Sequence, residues 1–186
     1  MPFAAQPPRG LRAVPSKRTR SGFVAECRAL FRGSSAMRLA SIGYEKASFA
    51  DFRRTLLEVG IAAVIDVRDL PQSRRAGFSK RQLQAGLEEA GLRYLHVKAL
   101  GTPKEGRVAA QQRRYEAFCE IVEAKLATEE AEAAFAEIAA LARATPSCLL
   151  CFEADHRQCH RRRVAETLER RFGFPPTLHL QVREVW

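Results

Sequence analysis

No apolar run in this chain approaches the roughly 20 residues that span a bilayer, so no membrane segment or membrane partner is expected. The cysteines are few and odd in number, five in 186 residues, and they follow no framework spacing. That excludes a secreted disulfide scaffold and points to a reduced, cytoplasmic interior. Acidic residues are scarce at the amino end. Residues 1–37 hold seven Lys/Arg against Glu26 alone, so most of the formal net charge of +10 lies in a stretch rich in proline and arginine, without the periodicity of a packed element. This leader has no continuous apolar core of the secretory type. Its arginine-rich, acid-poor make-up superficially matches a transit peptide, but Met37 stands directly before the first strand-like run and is read as the native start. The leader is expected to be disordered, or to dock one short helix around Phe23 to Phe31.

The remainder, residues 38–186, reads as one domain of ordinary size. Leu39 to Tyr44 forms a first strand. Ser48 with Asp51 then gives a capping box for a helix whose stripe of Phe49, Phe52, Leu56 and Val59 ends at Gly60. Ala62 to Val67 is a near-continuous apolar run broken by Asp66, as in a parallel strand covered on both faces. A long polar turn to Phe78 leads to a second helix, which Ser79 and Gln82 are expected to cap. Leu92 to Val97 is a third strand, and Leu100 to Gly106 reads as a glycine-containing loop. Two helical stretches follow, one carrying Phe118, Ile121 and Leu126, the other capped by Thr128. Ser147 to Phe152 is a fourth strand, a helix starts near Cys159, and Thr177 to Val182 offers the last strand. Strands alternating with helices predict an α/β fold: a single Rossmann-like three-layer domain with a mostly parallel sheet and helices on both faces.

Ligands of such sheets sit beyond the carboxyl ends of the strands. That rule gathers Tyr44, Asp66, Arg68, His96 to Gly101, and Glu153 to Arg161 on one rim. A helix starting near Cys159 would turn its free N–H groups and positive dipole end toward that rim, with Arg161 to Arg163 adding charge, a natural seat for phosphate or carboxylate.

Cys159 is either a thiolate favoured by the helix start and its arginines or a small packing residue. Glu153 is an acid/base group or an ion-pair partner, and Asp66 and Arg68 either face a ligand or pair with each other. His160 transfers protons or simply bonds at the helix start. Cys148 and Cys151 lie three apart in one strand and so point to opposite faces, which argues against joint chelation. Cys151, Cys159, His156 and His160 could meet around a metal, but their spacing matches no common zinc pattern, and no metal site is expected. The Cys151-x5-Arg157 spacing is that of a cysteine-phosphatase loop. Glu153 and Asp155 inside it would repel a dianion, and no glycine eases the backbone, so the match is read as coincidence.

Taken in order, Ser-Ile-Gly-Tyr44, Val-Ile-Asp-Val-Arg68 with Pro71, Ser73 and Phe78, Leu100-Gly101, and Cys151-x-Glu-x5-Cys-His-Arg161 resemble the successive signatures of the bacterial and archaeal "domain of unknown function 488" family, from about Arg38 to Val182. The resemblance implies a cytosolic α/β domain whose motifs converge on one pocket, with no settled reaction. The family's first motif often carries histidine where Tyr44 stands here, and Arg162-Arg163 is not a fixed family feature.

The reading that follows is an enzyme, a hydrolase or transferase, acting on a phosphorylated or nucleotide-like anion. Asp66, Glu153, Cys159 and His160 form its catalytic set; Tyr44, Arg68, Ser73, Gly101 and Arg161 hold the substrate. The alternative is a non-catalytic nucleotide or nucleic-acid binder using the same rim and the basic leader. A thiol redox or metal protein draws only on the cysteines. The motifs specify neither a cofactor nor an oligomeric state.

Overall fold

The structure is a computed structural model that describes residues 39–182; the expectations for residues 1–37 lie outside it. Five strands, β1 (Leu39–Gly43), β2 (Ala63–Asp66), β3 (Arg93–His96), β4 (Ser147–Cys151) and β5 (Leu178–Leu180), form one sheet in the order β3-β2-β4-β1-β5. Every pairing is parallel. Six helices cover it: α1 (Phe49–Val59), α2 (Lys80–Glu88), α3 (Lys104–Gln111), α4 (Tyr115–Leu126), α5 (Glu129–Ala144) and α6 (Arg161–Phe172). Short 3-10 turns lie at Lys98–Leu100 and His156–Gln158. No helix among the described residues is long and apolar enough to cross a membrane.

The sheet separates two cores, as the three-layer reading requires. On one face Phe52, Leu56, Leu83 and Leu87 from α1 and α2 pack on Ile42, Val64, Cys148 and Leu150. On the other, Val122, Phe135, Ile138, Val164 and Leu168 from α4, α5 and α6 pack on Leu39, Ile65 and Leu149. Neighbours in β4 therefore alternate between faces, and both faces are apolar because helices cover both.

Local chemistry sets the boundaries. Ser48 caps α1, its Oγ accepting from the Asp51 N–H at 3.1 Å and donating to Asp51 Oδ2 at 2.7 Å. Thr128 caps α5 by accepting from the Ala131 N–H at 3.2 Å. Each cap satisfies an N–H left open by the helix geometry and contributes about 1 kcal/mol. Two expectations need correction. Ser79 does not cap α2 with its side chain; its Oγ instead bonds the Ser73 N–H and C=O and closes the preceding loop. The segment from Lys104 is helix α3 rather than loop, because Gly106 serves close packing: a Cβ there would lie 2.6 Å from Thr102 Cγ2 and 3.2 Å from Ile121 Cγ2.

Candidate active site

The strand order fixes where the rim opens. The chain passes from β1 to β2 to β3 in one direction along the sheet, with α1 and α2 on one face, then returns to β4 and β5 with α4, α5 and α6 on the other. Connections leaving β2 and β4 thus diverge to opposite faces although the two strands are neighbours. Their carboxyl ends are the switch point of the sheet, the place where parallel α/β folds leave a crevice. The last tie between them is the Val67 N–H to the Leu150 carbonyl at 3.1 Å. Beyond it lie Arg68 on one side and Cys151 to Glu153 on the other.

Around this point the sheet divides the expected residues into two clusters. Asp66 follows the parity of Val64 and turns toward α1 and α2. Its carboxylate is buried and bidentate with Arg68, at 2.8 Å to Nε and 2.6 Å to Nη2, and also accepts from Tyr94 Oη at 2.6 Å. Arg68 Nη1 donates to Tyr44 Oη at 2.8 Å and to the Phe78 carbonyl at 2.9 Å. Tyr44 is itself core, stacked on Phe78 with ring centroids 4.2 Å apart. Burial lowers the Arg68 pKa, but the Asp66 carboxylate more than offsets this and keeps the guanidinium charged. Arg68, expected to grasp a ligand anion, spends its donors on a buried internal pair, the other possibility open at the sequence level. Tyr44 likewise serves packing and Arg68.

The second cluster lies on the opposite face. Cys151 follows Leu149 and meets Cys159 and His160 where the chain enters α6. One ligand atom from each of these three buried residues falls within 4.8 Å of the others. His160 Nδ1 is 3.7 Å from Cys151 Sγ and 3.8 Å from Cys159 Sγ, and Cys151 Sγ is 3.2 Å from Glu153 Oε2. On the far side of the ring His160 Nε2 donates to the Val67 carbonyl at 2.8 Å, which fixes the ring and leaves Nδ1 facing both sulfurs. Helix α6 begins at Arg161, two residues after Cys159, with His160 in the N-cap position, so both side chains sit at its mouth.

Electrostatics move the two thiols in opposite directions. Burial pushes the Cys159 thiol up, but the contacts with Cys151 and His160 and the charges of His160 and Arg161 outweigh it and hold the thiol well below its usual range. Cys151 moves up, first through its contact with Cys159, then through burial. Burial lowers His160, but the Cys159 contact more than offsets it, so His160 moves up. Glu153 is pushed up to about 7 by burial first and by the Cys159 charge next.

Arg161 is 1% exposed and reaches back to the Glu153 carbonyl and, at 2.9 Å, the Ala154 carbonyl; its Nε has no hydrogen-bond partner among the described residues. Neutral carbonyls hold this cation in place without cancelling its charge, so it favours an anion nearby. The same loop is pressed onto β1 at Gly43, where a Cβ would lie 1.8 Å from the Glu153 carbonyl oxygen.

The remaining expected residues fall outside the cluster. Gly101 is a close-packing position, since a Cβ there would lie 2.3 Å from the Asp69 nitrogen. Ser73 Oγ accepts from the Arg75 N–H at 3.1 Å within its own loop. Asp155 caps the 3-10 turn and pairs with Arg157 at 2.9 Å, so this acid and this arginine neutralise each other. His156 does not join the cysteines; it stacks on His179 with centroids 3.5 Å apart, and His179 Nδ1 is 2.7 Å from Ser41 Oγ. In the sequence Cys151 stays outside the expected site because the spacing of Cys151, Cys159, His156 and His160 matches no common zinc pattern and because Glu153 and Asp155 in the Cys151-x5-Arg157 loop would repel a dianion. The parity of Cys151 with Leu149, on the face that α6 covers, was the signal that pairs it with Cys159.

Fold and cluster define an α/β protein with a thiol, imidazole and carboxylate centre at the switch point of an all-parallel sheet. The sequence model of a family described as "Domain of unknown function DUF488" matches residues 48–168, about two thirds of the chain, and the protein belongs to that family. No curated protein and no solved structure matches it.

Proposed function

We propose that this protein is an enzyme, a hydrolase or transferase, that acts on a phosphorylated or nucleotide-like small molecule with Cys159 as its nucleophile. The observation that carries the reading is the arrangement of Cys159 and Cys151 around His160 Nδ1, with Glu153 against Cys151 and, behind them, Arg161, which has no acidic partner among the described residues. A buried thiol pays for ionisation unless an adjacent cation and hydrogen bond support it, and here both are present.

The chemistry balances with these groups. The Cys159 thiolate donates an electron pair to the substrate phosphorus, the bond from phosphorus to the leaving oxygen breaks, and the leaving oxygen takes the proton of the Glu153 carboxyl. Glu153, now a carboxylate, removes a proton from water or an acceptor hydroxyl, whose oxygen attacks phosphorus. The sulfur–phosphorus bond breaks and the thiolate returns. His160 keeps the sulfur ionised at each end of the cycle, and Arg161 with the start of α6 offsets the negative charge of the phosphoryl group. General acid–base assistance of this kind contributes about 10²- to 10⁴-fold. Relative to the sequence reading, Asp66 leaves the catalytic set and Arg68 leaves the substrate-holding set, and both support β2.

The test is a panel of phosphomonoesters and nucleotides incubated with the full-length chain, followed by mass analysis of the Cys159 peptide. A phosphoryl adduct on Cys159 that is absent from Cys159→Ser supports the reading. Turnover that survives Cys159→Ser overturns it, as does a panel that neither raises the melting temperature nor leaves an adduct.

A further inference from the structure

We infer that Cys151, Cys159 and His160 form a zinc-binding site with the Glu153 carboxylate as its fourth ligand, and that zinc occupancy withdraws Cys159 from thiol chemistry. The inference deepens the function proposed above, and its second half rests on that reading. The first half rests on geometry alone. Zinc binds cysteine sulfur at about 2.3 Å and imidazole nitrogen at about 2.0 Å, so a tetrahedral site has ligand-to-ligand edges of roughly 3.4–3.8 Å. The observed separations from His160 Nδ1, 3.7 Å to Cys151 Sγ and 3.8 Å to Cys159 Sγ, already have that length, and the third edge is no longer than 4.8 Å. Glu153 Oε2 is 3.2 Å from Cys151 Sγ but stands outside the group whose ligand atoms all lie within 4.8 Å of one another, so its side chain must turn inward to complete the tetrahedron.

Three further observations agree. The other nitrogen of the His160 ring is held by the Val67 carbonyl at 2.8 Å, the outer contact that metal-bound histidines characteristically make and that aims Nδ1 as a ligand. All three residues are buried, which suits a closed site with soft sulfur ligands and disfavours magnesium or calcium. Charge also fits. A zinc ion with two thiolates and one carboxylate carries a single negative charge, and Arg161, whose hydrogen-bond partners among the described residues are carbonyls, stands beside it to neutralise that charge.

The experiment uses the full-length chain, reduced and stripped with a chelator, then titrated with cobalt and with zinc. The expected result is one cobalt per chain, with the sulfur-to-metal charge-transfer band and tetrahedral ligand-field bands, bleached by an equivalent of zinc. Cys119→Ser and Cys148→Ser should keep the bands; Cys151→Ser and Cys159→Ser should each lose charge-transfer intensity, and Glu153→Gln should weaken zinc binding. Zinc should also block alkylation of Cys159. A wild-type spectrum without thiolate bands overturns the site whatever the variants do, and so does charge-transfer intensity that is undiminished in Cys159→Ser. The two proposals fail separately. If Cys159 alkylates rapidly in stripped protein while cobalt gives no thiolate band, the metal site is wrong and the thiol enzyme stands. If cobalt binds as expected while stripped Cys159 is inert, the site stands and its role as a switch on Cys159 falls with the thiol mechanism.

Discussion

His160 Nε2 donates to the Val67 carbonyl oxygen at 2.8 Å, so the residue that opens α6 is fastened to the end of β2 across the switch point of the sheet. This bond decides which imidazole nitrogen meets the sulfurs. His160→Ala should leave the buried Val67 carbonyl unsatisfied and cost about 1–3 kcal/mol in denaturant unfolding. It should also slow Cys159 labelling, whereas loss of stability with unchanged labelling would make His160 a strut only.

The Asp66–Arg68 pair is structural in this account. Both side chains are buried, at 0% and 5% exposure, and removing one partner strands the other. Asp66→Asn and Arg68→Met should each cost about 3–5 kcal/mol, a fall in melting temperature on the order of 10 °C, while Cys159 chemistry persists in the folded fraction. If either variant melts normally yet loses ligand binding, the pair belongs to the site after all.

Acid should weaken the fold through the stacked histidines. Burial first, then His156 and Arg161, push His179 down to about 4, with Arg162 adding to the same effect and Glu169 opposing it. His156 moves the same way, again through burial first. A folded pKa below the unfolded value of about 6.5 means that the unfolded chain binds more protons in between. The contribution is therefore present in full above about pH 6.5 and is lost as pH falls toward 4. Melting temperatures across that range should fall less steeply for His179→Gln than for the wild type; equal slopes would show that these rings do not govern the acid limb.

Gly43→Ala is expected to do more harm than its position in a strand suggests. Its Cβ would meet the Glu153 carbonyl oxygen, so the loop that carries Glu153 must move away from Arg161. Thermal melts should show a loss of at least about 1 kcal/mol, accompanied by slower Cys159 labelling. An unaffected labelling rate would mean that the cluster tolerates displacement of this loop.

Much of the scaffold was legible because local chemistry wrote it. Ser48 and Thr128 announce their helices by caps that form as expected, and all five strands fall inside the expected apolar runs. Helix α3 was hidden because Pro103 and Gly106 resemble loop composition, while Gly106 answers to a neighbour, Ile121, that a local reading does not see. The site was legible as a rim but not as two clusters. Parity along β2 and β4 tells which residues share a face, but the sheet order that sets Asp66 and Cys151 on neighbouring strands and opposite faces depends on contacts distant in sequence. Arg68 reads as an open anion ligand in the sequence because its charge is visible there and the Asp66 carboxylate that neutralises it is not; Arg161 is held by neutral carbonyls that leave its charge in place.

The most direct measurement compares alkylation of Cys159 and Cys119 in the metal-stripped, reduced full-length chain at neutral pH, using iodoacetate and iodoacetamide in parallel with peptide mapping. Cys119 is the more exposed of the two, half-buried against 4% exposure for Cys159, so accessibility alone puts it first. A thiolate held by His160 beside the carbonyl-bound Arg161 predicts the reverse: Cys159 labels ahead of Cys119 and gains more than Cys119 does when the neutral reagent is replaced by the anionic one. Labelling of Cys119 first, with no anionic preference at Cys159, would contradict the account.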